Sequence, residues 1–171
     1  FFDDRLLLNT AVFFAEYTDQ QITVQSGADS DNDGVNDTFV SSVFNAGSSE
    51  YTGLELEGSW FINDEFTLMG NLGYIDAEIQ EILSAGTNIA DQFVTQNTPE
   101  LQGQLSLNYM RDFGPEFGAI SITGSASYRD AYYLFNVENP GFAPGTNVLF
   151  PNGGPALDPD SYTLLDLSFV W

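Results

Sequence analysis

The sequence predicts an all-β fold, an antiparallel transmembrane β-barrel fragment of about six strands from a larger barrel. Three observations predict it. Apolar and polar residues alternate along segments longer than the ~5–6 residues of an average soluble strand. Connections alternate long, short, long, short, long, as external loops and periplasmic turns do in outer-membrane barrels. Aromatic residues (Trp60, Phe66, Tyr74, Tyr109, Tyr128 and Trp171) stand at the ends of the apolar faces, where interfacial girdles sit.

The first strand is expected from Arg5 to Val24. Leu6, Leu8, Val12 and Phe14 share one face and Leu7, Ala11, Phe13 and Tyr17 the other, so its orientation stays open. Asp29 to Gly34 is a loop. The second strand spans Thr38 to Ile62. Its Leu54, Leu56, Gly58, Trp60 and Ile62 lie on one side and Glu55, Glu57, Ser59 and Phe61 on the other. After a tight reversal at Asn63-Asp64-Glu65, Phe66, Leu68, Gly70, Leu72 and Tyr74 form the apolar side of the third strand. Between Asp76 and Gln96, the residues Ala77, Ile79, Ile82 and Leu83 fit either a short helical turn or a continued strand.

Asn97-Thr98-Pro99-Glu100 introduces the fourth strand, with Leu101, Gly103, Leu105, Leu107 and Tyr109 opposed to Gln102, Gln104, Ser106 and Asn108. Arg111 to Glu116 reverses the chain. In the fifth strand Ile120, Ile122, Gly124, Ala126 and Tyr128 oppose Ser121, Thr123, Ser125, Ser127 and Arg129. The stretch from Leu134 to Asp160 is proline-rich loop, because proline cannot donate to a ladder. Tyr162 to Trp171 is the last strand. Single-chain bacterial barrels start at ~8 strands, and an open edge in lipid leaves backbone groups unpaired at several kcal/mol each. Further strands are therefore expected outside this chain.

The net charge is -22, from 25 acids against Arg5, Arg111 and Arg129. Nucleic-acid binding through a basic surface is excluded, since nothing here neutralises a row of phosphates. Without cysteine or histidine, disulfides, thiolate sites and a Ser-His-Asp arrangement are excluded too. The chain opens on Phe1-Phe2-Asp3-Asp4-Arg5, with no signal peptide, so an exported barrel is expected to have residues upstream.

Two features suggest roles for particular residues. Asp29, Asp31, Asp33, Val35 and Asp37 have the alternate spacing of a calcium loop: carboxylates converge on one hard cation, Gly34 permits the turn, and Val35 offers a carbonyl. Val40 occupies the twelfth position, where an EF-hand has glutamate, so the loop is EF-hand-like at most, and a solvated acidic turn is the alternative. Glu55 and Glu57 belong in a wet lumen, where carboxylates cost little, as plain lumen residues or as partners of basic groups. The loop around Asn136 to Pro159, with Phe135, Phe142 and Phe150, offers an external surface for ligand capture or folds onto itself.

The stretch Asn45-Ala46-Gly47-Ser48-Ser49-Glu50-Tyr51-Thr52-Gly53-Leu54-Glu55-Leu56-Glu57 resembles the barrel signature of TonB-dependent outer-membrane receptors. Leu6 to Phe14 before it, and Leu72 to Ala77, Asn97-Thr98-Pro99 and Ser161 to Asp166 after it, fit the same series in order. The resemblance implies a 22-stranded barrel closed by a plug, in the outer membrane of a Gram-negative bacterium. It implies no enzyme but active import of a scarce nutrient (siderophore-bound iron, cobalamin or carbohydrate), powered through TonB. Residues 1–171 then form a partial barrel lacking the plug, the first strands and the last ones. The partners implied are the TonB complex, reached through the missing plug, outer-membrane lipid and a small-molecule nutrient; a surface lipoprotein stays open. The rival readings are a passive porin or adhesin-type barrel and a soluble, calcium-stabilised extracellular β-sandwich.

Overall fold

Each expected strand forms and pairs with the next in the chain. The computed structural model describes residues 3–35, 38–84, 86–134 and 158–171. Its strands are β1 (Leu6–Ala28), β2 (Thr38–Phe61), β3 (Phe66–Ser84), β4 (Thr87–Asn88), β5 (Leu101–Asp112), β6 (Ala119–Arg129) and β7 (Tyr162–Val170). They make one antiparallel sheet in the order β1-β2-β3-β5-β6-β7, with β4 beside the end of β3. β1 and β7 are the edges, and they do not pair with each other.

Register settles the orientation that the first strand left open. Leu6 stands opposite Trp60 and Val12 opposite Leu54. Leu6, Leu8, Val12 and Phe14 therefore join the apolar side of β2, and Leu7, Ala11 and Phe13 join the side of Glu55 and Glu57. A single row continues across the sheet from Trp60 through Leu68, Leu107 and Gly124 to Leu167.

The undecided stretch after Asp76 does both things in sequence. β3 continues to Ser84, and one 3-10 turn follows at Ala90–Gln92. The Asn88 side chain joins the two parts: its Oδ1 accepts from the Ile82 and Ala90 amides, and its Nδ2 donates to the Gln80 carbonyl. Ile82 and Ala90 are the buried apolar residues of the described chain, with Ile79, Ile89 and Phe93 packed on them. Elsewhere among the described residues the sheet is a single layer.

Candidate functional site

Functional chemistry in a membrane wall lies in what each face presents. On the outward face, β1 to β7 set out Leu8, Gly58, Gly70, Leu105, Ala126 and Leu165 in one continuous row. Among the described residues no second layer covers it: Leu105 is 56% exposed and Leu167 81%. A soluble sandwich would bury these side chains between two sheets. The opposite face carries Asn9, Glu57, Asn71, Gln104 and Ser127 in the next row. Such a sheet suits hydrocarbon on one side and water on the other.

Aromatic residues bound the apolar band. Tyr74 and Tyr128 stand at the end nearest the long connections. Trp60, Phe66, Tyr109 and Trp171 lie toward the other end, with the Phe66 and Tyr109 rings 4.9 Å apart. From Phe66 to Tyr74 the strand advances roughly 26 Å, close to the ~25 Å of an outer-membrane apolar band. Past Tyr74 the polarity inverts. Glu16, Glu50 and Glu78 lie side by side on the outward face. On the inward face, Tyr17 meets Tyr51 edge to face at 5.3 Å. Ionised carboxylates do not face acyl chains, so the hydrocarbon boundary falls between these rows.

The tight turns at the other end are closed by side chains. Asn63 Oδ1 accepts from the amides of Glu65 and Phe66. Arg5 reaches Asp64 at 3.8 Å and Arg111 reaches Glu65 at 3.4 Å, both pairs well exposed and worth little singly. Trp171 Nε1 donates to the Phe117 carbonyl at 2.7 Å, tying β7 to the turn between β5 and β6.

At the far end of the β1–β2 ribbon, the acidic loop brings together Asp29, Asp31 and Asp33. One carboxylate oxygen from each lies within 4.8 Å of the others. Val35 donates its amide to Asp33 rather than standing apart, and Asp37 lies outside the described residues. The Asp29 carboxylate accepts the Gly34 amide at 2.8 Å and the Asn32 amide at 2.6 Å, with the Asp31 and Asp33 amides at 3.2 Å. Left-handed backbone at Asn32 and Gly34 curls these N–H groups inward. These bonds, that of Gly34 foremost, hold the Asp29 carboxyl below its usual range although partial burial pushes the other way.

A lowered carboxyl pKa means that the unfolded loop binds protons more readily than the folded one. The loop is thus held fully at neutral pH, and its order is lost as pH falls through Asp29's own lowered pKa. We expect the Asn32 and Gly34 amide resonances to move together with a midpoint below the normal carboxylate range. Asp29→Asn, which lacks the second acceptor oxygen, should speed Gly34 amide exchange several-fold. A midpoint in the ordinary carboxylate range would contradict this.

Over residues 1–171 the chain matches the family model described as TonB dependent receptor-like, beta-barrel. This chain belongs to the TonB-dependent receptor β-barrel family. Its place is the outer membrane, and its role is transport, not catalysis. Neither a curated protein nor a solved structure matches it. Among the described residues, no helix is long and apolar enough to cross a membrane; TonB-dependent receptors cross with strands. The family also implies interaction with TonB and binding of the transported ligand. The aromatic loop of Phe135, Phe142 and Phe150 lies outside the described residues.

Sequence reasoning missed the inversion of polarity past Tyr74, although Glu16, Glu50 and Glu78 carried its signal. Their contact depends on register, which no single strand reveals.

Proposed function

We propose that this chain forms one sector of the wall of a TonB-dependent nutrient importer. The observation that carries the reading is a single-layered antiparallel sheet, apolar outward and polar inward, whose long connections share one end. In lipid, the unpaired N–H and C=O groups of β1 and β7 need partners, so further strands complete the barrel. The implied total is 22. A plug fills the lumen, ligand binds to the plug and external connections, and energised movement of the plug opens a path along the polar face. Scarce nutrients such as siderophore-bound iron, cobalamin or carbohydrate are the cargo class. Uptake by the full-length receptor should require TonB and disappear in its absence. Uptake that persists without TonB would instead make this a passive porin.

A second reading concerns the acidic loop. Calcium takes oxygen ligands at ~2.3–2.6 Å, so two of its ligands lie no more than ~5 Å apart. The spacing of Asp29, Asp31 and Asp33 meets that condition. Calcium there, with Val35 and Asp37 completing the set, would stiffen an external loop. Calorimetry on the intact receptor should show calcium binding that is lost when Asp29, Asp31 and Asp33 are all changed to Asn. Heat of binding that survives the triple change would remove the assignment.

A further inference from the structure

Arg129 is unlike the other two arginines of the chain. Arg5 and Arg111 each reach a carboxylate in the turn between β2 and β3. Arg129 ends β6 on the polar face, between Gln102 of β5 and Tyr162 of β7. It is half-buried, and its Nε is buried with no hydrogen-bond partner. Its guanidinium lies 4.4 Å from the centre of the Tyr132 ring. No carboxylate of the described residues lies within ion-pair distance of it, in a chain with 25 acids. A charged donor removed from water without an acceptor is costly. The stack on Tyr132 offsets part of that cost and holds the planar fork in place.

We infer that Arg129 is the lumen-side anchor for a carboxylate belonging to another part of the same receptor. The inference rests on the reading above that a plug occupies the lumen. Charge decides between a tethered acid and a free anion. A chain of net charge -22 repels diffusing anions, whereas an acid held by the same polypeptide arrives at high effective concentration whatever the long-range field. In the same row, Glu55 of β2 stands across β3 and β5 from Arg129. At ~4.8 Å per strand, the negative and positive ends of this row are roughly 14 Å apart. The lumen face thus presents an ordered pair of charges that a rigid domain can match in one orientation.

The test uses the full-length receptor in planar bilayers and in cells, with barrel folding checked by heat-modifiable gel mobility. Arg129→Gln should raise ligand-independent leak on the order of tenfold. Arg129→Lys, which keeps the charge and loses the fork, should fall between Gln and wild type. Tyr132→Leu removes only the stack and should raise leak less, which keeps the test open if Arg129→Gln folds poorly. Suppressors of Arg129→Glu that restore the seal should be acid-to-base changes in the plug. A wild-type seal in Arg129→Gln overturns the inference, whether or not ligand affinity falls; a fall would make the transported anion the acceptor. A suppressor at Glu138, inside this chain, overturns it as well. A wild-type receptor that already leaks freely has no plug, and that result removes the importer reading itself.

Discussion

Leu105→Arg is expected to remove most of the receptor from the outer membrane, while Gln104→Arg leaves assembly near wild type. The two residues are neighbours on β5, and their side chains leave the sheet on opposite sides. Leu105 occupies the row of Leu8, Gly58, Gly70, Ala126 and Leu165, midway between the aromatic ends of the outward face. Arginine facing lipid at mid-depth in a β-barrel costs ~2–4 kcal/mol, and less near either interface. Gln104 lies in the row of Glu57 and Asn71, on the polar face, where water receives the charge. Folded receptor, measured by heat-modifiable mobility and by equilibrium unfolding in bilayers, should separate the pair by that amount. Equal loss from both substitutions would mean that the faces are assigned wrongly. A bromolipid quenching probe at position 105 would check the same point: quenching is expected at 105 and not at 104.

Gly53→Ala should destabilise the barrel although alanine adds only one carbon. Gly53 lies directly opposite Phe13, whose ring folds over it on the polar face. A Cβ at position 53 would overlap the Phe13 ring tip and stand 2.9 Å from the Tyr74 carbonyl oxygen. An aromatic ring laid on a cross-strand glycine covers the exposed backbone and pins register. Overpacking of this kind costs ~1–3 kcal/mol. Phe13→Ala clears the ring but not the backbone carbonyl. The double variant should therefore cost less than the sum of the single ones and still fall short of wild type. Strict additivity in that cycle would show that ring and glycine do not meet.

The strands were legible because a membrane β-strand must repeat every two residues, and β5 does so without a break from Leu101 to Tyr109. That Glu55 and Glu57 share the polar face was legible for the same reason, since the lipid side excludes carboxylates. β1 was harder. Leu7, Ala11 and Phe13 are as apolar as Leu8 and Val12, and only the pairing with β2 assigns them. Residues 76–96 were ambiguous because Ile79 and Ile82 serve both a continuing strand and the small cluster under Ala90 and Phe93. The Asp29 loop was readable as a set of carboxylates. Its hydrogen bonding was not, because bonds of that kind depend on backbone angles at Asn32 and Gly34.

Alternation, strand length, aromatic positions and the order of long and short connections thus establish, without coordinates, a sheet that separates lipid from water. These are local properties, dictated by the two-residue repeat and the thickness of a bilayer. Register, by contrast, is a relation between distant segments. Only the folded sheet lays Phe13 on Gly53, aligns Glu16 with Glu50 and Glu78, and stacks Arg129 on Tyr132 with no carboxylate of the described residues in reach. The cross-strand contacts join residues far apart in the chain, and the stack depends on how the backbone leaves β6, so spacing along one strand does not specify either.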